Sequence, residues 1–69
     1  MQVNVAKLKG SMVEHGFTQE RLAEAIGIDR STLYRRMHNG GADFTIGEMH
    51  KICEALSLTG EEAQEIFLP

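Results

Sequence analysis

The sequence has a single cysteine, Cys53, so no disulfide can close within the chain, and folding has to rest on packing and helix caps. No apolar run approaches the roughly 18 residues that suggest a membrane span. The opening MQVNVAKLKG lacks the apolar centre of a signal peptide, so a cytoplasmic protein is expected. No alternating run of β-branched residues argues for a strand, and there is no repeat, linker or low-complexity segment. A glycine-rich phosphate loop, a nucleophile with its base and a carboxylate dyad are all missing. His50 and Cys53 stand three apart on a helical pattern, but two ligands do not make a tetrahedral metal site, and a buried thiol explains Cys53 better. At 69 residues the chain has room for one domain, spanning 1–69, that buries about 60% of its unfolded surface and leaves little space for a deep substrate cavity. These absences argue against an enzyme and imply no cofactor, metal or small-molecule substrate. The chain also lacks an excess of positive charge: its formal net charge is -3.

What the chain does have is helix punctuation. A capping residue set between an apolar residue just before it and another four positions later recurs at Asn4 (Val3, Leu8), Thr18 (Phe17, Leu22), Asp29 (Ile28, Leu33) and Thr45 (Phe44, Met49). Thr45 with Glu48, and Thr59 with Glu62, have the spacing of capping boxes. Stop signals fall at Gly16, Gly27, Gly40 and the Ser57 to Gly60 region. Five short helices are expected, near 4–15, 18–26, 30–38, 45–56 and 60–67, in an all-α domain. Apolar spacing marks Val5, Leu8, Met12 and Val13 as the inner side of the first helix, and Leu22, Ala23 and Ile26 as that of the second. Ile46, Met49, Ile52, Cys53 and Leu56 form that of the fourth.

The third helix differs. Only Leu33 and Met37 point inward at helical spacing, and at 100° per residue Arg35 lies almost opposite them. Three of the seven basic residues stand between Arg30 and Arg36, beside the only tyrosine, Tyr34. Up to His38 the chain carries six basic residues against four acidic ones; from Asn39 onward Lys51 alone faces six carboxylates. Such polarity suits a local contact with phosphates, with the acidic half turned away. An ordinary solvated helix face would produce the same charge run.

A short helix joined to its predecessor by a three-residue turn has the geometry of a helix-turn-helix unit. Gln19, Leu22, Ala23, Ile26, Gly27 and Leu33, in QERLAEAIGIDRSTL, resemble the corresponding residues of the Cro and phage-repressor helix-turn-helix family. The first helix, FTIGEMHKICEAL and the final EEAQEIF are similar to their counterparts in small phage-type members. In one departure, Arg36 stands where the family usually has an apolar residue, three positions after Leu33, and Met37 takes over as anchor.

The resemblance implies a five-helix, lambda-repressor-like domain that binds operator DNA and regulates transcription, with the third helix in the major groove. It implies base readout by Arg30, Ser31 and Arg35, with Tyr34 beside them or packed along the helix edge. Asp29 is expected to cap rather than read. Gln19 resembles the family residue that clasps a phosphate at a helix N-terminus, and Thr18 is either its cap or a second phosphate contact. Asn39 and Gly40 look like the loop that meets the DNA backbone. Thr32 and Arg36 are candidate flanking phosphate contacts, with pairing to a carboxylate on a neighbouring helix the alternative for Arg36. Proteins of this kind bind palindromic double-stranded DNA as two-fold dimers. Ile66, Phe67 and Leu68 are more apolar residues than one helical stripe buries, so Leu68 and part of Phe67 are the expected homodimer contact, near the start of the fourth helix. A protein-interaction module, antitoxin-like or adaptor, is the alternative from another class.

Overall fold

The computed structural model describes residues 3–69, and among these it contains five helices and no strand. They are α1 (Val5–Glu14), α2 (Gln19–Ile26), α3 (Arg30–His38), α4 (Ile46–Ala55) and α5 (Gly60–Phe67). Local chemistry starts them where the caps predict. The Asn4 side chain accepts from the Lys7 N–H, and Thr18 Oγ1 accepts from the Arg21 N–H. Thr45 and Thr59 each form a complete capping box, with Glu48 and Glu62 returning a carboxylate oxygen to the capping residue's own N–H. Asp29 is the exception. It occupies the capping position of α3 in an extended conformation, but its side chain makes no capping bond.

Gly16, Gly27 and Gly40 all take positive φ, as stop signals require. The fourth stop is Ser57, held at φ 50°, whereas Gly60 is the first residue of α5 and ends nothing. There the Leu58 N–H reaches back to the Cys53 carbonyl at 3.0 Å and closes the end of α4.

α2 lies against both α3 and α4, while α1 packs on α5. Leu8, Leu22, Leu33, Ile52, Leu56 and Ile66 are fully buried where these faces meet. Two residues assigned to inner faces lie outside. Val13 is 79% exposed because it sits about 140° around α1 from Leu8, beyond the stripe that Leu8 and Met12 define. Ile46 is 74% exposed, about 120° around α4 from Ile52. Cys53 is half-buried at the edge of the core rather than inside it.

The N-terminal segment ties the two ends of the fold together. The Val3 N–H donates to the Gly40 carbonyl at 3.0 Å and the Asn4 N–H to the Ile66 carbonyl at 2.7 Å. Val3 thereby covers the loop that follows α3, and Lys7 adds an ion pair with Glu65 across α1 and α5.

Candidate nucleic-acid interface

The angle between α2 and α3 is set by a turn of three residues, Gly27 to Asp29. Gly27 adopts φ 78°, which lets the Ile28 N–H reach the Ala23 carbonyl at 3.0 Å while Ile28 packs against the core. Ala23 is buried where the helices converge, and a larger side chain there would force them apart. Leu22, Ile26 and Leu33 close the angle from inside.

This arrangement aims the polar side of α3 outward. Gln19, at the start of α2, and Arg30, Ser31, Tyr34 and Arg35, on α3, line one open surface depression. All four expected base readers are therefore brought together with the expected phosphate clasp. None of them belongs to the core. Arg30 stands 3.6 Å from Glu20, but both side chains are largely exposed, so this contact restrains Arg30 only weakly. Arg35 donates to Thr32 Oγ1 at 3.4 Å, a long bond that leaves its remaining donors free. The Tyr34 ring stacks on His38 with centroids 5.8 Å apart, and 57% of the residue is exposed.

Thr18 is resolved as the cap of α2, leaving the dipole end and the first-turn N–H groups of that helix beside Gln19. Arg21 covers the entrance to the helix, with its guanidinium 4.9 Å from the Phe17 ring centroid and one nitrogen donating to the Gly16 carbonyl. Asn39 Nδ2 donates to Asp43 Oδ2 at 3.3 Å, on the loop where Gly40 and Gly41 both have positive φ.

Arg36 follows its alternative reading. Its guanidinium is bound by Glu48 Oε1 of α4, and the two side chains are only 24% and 14% exposed. The residue stands at a partly buried position, where an uncompensated charge would be costly, and the carboxylate of Glu48 compensates it. Burial pushes the Glu48 carboxyl up, but the Thr45 N–H, the Arg36 guanidinium and the Thr45 hydroxyl together outweigh it and hold its pKa below the usual value.

Sharing no lining residue with the α2–α3 depression, α4 and α5 form an apolar groove of about 410 Å³, lined among others by Ile46, Met49, Cys53, Ala63, Phe67 and Leu68. Leu68, the expected contact residue, is 68% exposed. Phe67 is 5% exposed: it lies beside Ile66 on the inner face of the short α5 and presents only an edge to the groove, so it belongs to the core. Ile46, assigned inward by its spacing, joins Leu68 as the other large exposed apolar residue lining this groove. Burial raises the pKa of the Cys53 thiol. Among the described residues no three His, Cys, Asp or Glu side chains stand close enough to hold a metal ion, and no helix is long and apolar enough to cross a membrane.

Three contributors escape sequence reasoning. Glu48 is visible as a capping residue but not as the partner of Arg36; Gly41 is masked by its neighbour Gly40; Ile46 is disguised by helical spacing.

No curated protein and no solved structure matches the chain. A family model does: the Cro/C1-type HTH DNA-binding domain matches residues 7–66, nearly the whole of the 69-residue chain. The match covers all of α2 and α3 and the turn between them, and the chain belongs to the Cro/C1-type helix-turn-helix family, whose domain binds double-stranded DNA in the regulation of transcription.

Proposed function

We propose that the chain is a Cro- or repressor-like regulator of phage or prophage type that inserts α3 into the major groove of a palindromic operator and represses transcription from it. The observation that carries this reading is the shared depression of Gln19, Arg30, Ser31, Tyr34 and Arg35, a polar surface spanning both helices of the unit. Arg30 and Arg35 supply planar donor forks that match guanine O6 and N7, and Ser31 and Tyr34 add shorter-range polar contacts. Gln19, Thr32, Asn39 and Gly40 meet the phosphates on either side, and the capped start of α2 adds its dipole. An acidic chain tolerates this because the contact is local. Glu65 already neutralises Lys7, and Glu48 neutralises Arg36, on sides not used for DNA.

The operator is read by a homodimer. The longest dimension of one chain is 27 Å, less than the roughly 34 Å between half-sites one helical turn apart, so a single copy does not span both half-sites. Leu68 and Ile46, on the rim of the α4–α5 groove, form the contact. So small a patch makes a weak dimer in solution that DNA strengthens by aligning the subunits.

Selection of bound sequences from a random duplex pool tests this reading. A two-fold symmetric motif is expected, with log K falling against log salt by about 0.9 for each phosphate contact. Recovery of no motif, with affinity flat from low to moderate salt, would favour a protein-interaction module instead.

A further inference from the structure

The recognition helix is anchored along a narrow line. Leu33 and Met37, its two buried residues, lie about 40° apart around the axis, and Asp29 provides no capping bond at its start. A helix held on one line is free to roll about it. With side chains at a radius of about 5–6 Å, a roll of about 20° moves a side-chain position by about 2 Å. Productive polar contacts tolerate about 0.5 Å and 10–20°. Bidentate reading by Arg35, on the far side of the helix, therefore requires a restraint off the Leu33–Met37 line.

Arg36 is in the right place to supply it. It lies about 60° from Leu33, on the side away from Met37, and its guanidinium is bound by Glu48 Oε1. The same oxygen accepts the Thr45 N–H at 3.0 Å, and the Glu48 N–H donates to Thr45 Oγ1 at 3.0 Å. The carboxylate is thus fixed by the capping box of α4 before Arg36 reaches it.

We infer that Arg36 and Glu48 form a positioning pair that sets the roll of the recognition helix against α4, and so determines base selectivity without touching DNA. This rests on the DNA-reading role of α3 proposed above. It also explains the departure from the family at Arg36: a polar tether replaces an apolar anchor. Ion pairs with little exposure contribute less to net stability than to fixing one geometry, because the separated partners are poorly solvated in any other.

The test measures discrimination, defined as the affinity for the selected operator relative to an operator changed at the base pair read by Arg35. Glu48→Gln removes the charge but keeps an oxygen for the Thr45 N–H, so it isolates the tether from the cap. Glu48→Gln and Arg36→Ala are each expected to lower discrimination about tenfold while affinity for random duplex stays within about twofold, and the double variant to lose no more than either single. Arg36→Lys, with charge but no planar fork, is expected to recover part of the loss. Thermal melts confirm that each variant folds, and Glu48→Gln carries the test if Arg36→Ala does not. Discrimination unchanged in folded Glu48→Gln overturns the inference, as does a uniform loss on all sequences in Arg36→Ala alone, which would make Arg36 a phosphate contact. A parent chain that selects no duplex sequence overturns the DNA reading and the inference together, whereas a parent motif retained by both variants overturns the inference only.

Discussion

Gly41 and Val3 touch so closely that a methyl group on Gly41 would lie 2.5 Å from Val3 Cβ and 2.7 Å from Val3 Cγ2. The glycine also has φ 74°, a region that side chains resist. Both constraints come from one requirement: the chain has to reverse after α3 while Val3 covers the loop.

Gly41→Ala is accordingly expected to destabilise the fold by at least about 2 kcal/mol, combining backbone strain with a steric clash. For a domain this small that lowers Tm by about 10 °C or more. Calorimetry checks it, and a fall of only a few degrees would mean that Val3 moves aside at little cost. Gly40→Ala serves as the comparison, since it shares the positive φ but has open space around it.

The acid limb of stability follows from the two capping boxes. Glu48 is held below its usual pKa as described, and Glu62 is lowered chiefly by the Thr59 N–H and hydroxyl. A carboxyl whose pKa is lower folded than unfolded contributes stability that is complete above its unfolded pKa, about 4.3, and is lost as pH falls through the folded value. Tm is expected to hold from pH 7 to about pH 5 and to decline below that. Glu48→Gln combined with Glu62→Gln should flatten the decline. An equally steep acid limb in the double variant would assign it to other carboxylates.

The caps were open to sequence reading because they are local: Thr45 and Glu48 are three residues apart, and a helix start brings them together unaided. The turn at Gly27 was legible for the same reason, and the family pattern in QERLAEAIGIDRSTL marked the surface on which Gln19 and Arg35 meet. Contacts between distant segments were not. Arg36 and Glu48 are separated by twelve positions, and they meet because α3 and α4 both pack on α2. Val3 and Gly41 stand at opposite ends of the first three helices in the chain and meet only through the tertiary fold. Val13 and Ile46 fail for another reason: spacing says which residues share a side of a helix, but not how wide a stripe the neighbours cover.

The proposed dimer contact is separable from the fold. Leu68→Glu changes an exposed residue beyond the end of α5, and Ile46→Glu places an acid in the first turn of α4, where the helix dipole favours it. Both variants are expected to keep the parent's Tm within about 2 °C and to lose cooperative binding to the palindrome. Binding to an isolated half-site should be unchanged. Titrations that remain as tight and cooperative as the parent's would place the dimer surface elsewhere.

The central claim, that the outward side of α3 reads bases while the start of α2 holds the backbone, is tested most directly by comparing the duplex motifs selected by the parent, Arg35→Ala and Gln19→Ala. Arg35→Ala is expected to cost about 1–3 kcal/mol on the preferred operator and to erase base preference at one position in each half-site. Gln19→Ala is expected to weaken binding to all sequences by similar factors and to leave the motif intact. An Arg35→Ala motif identical to the parent's, with affinity lowered evenly across sequences, would contradict the account.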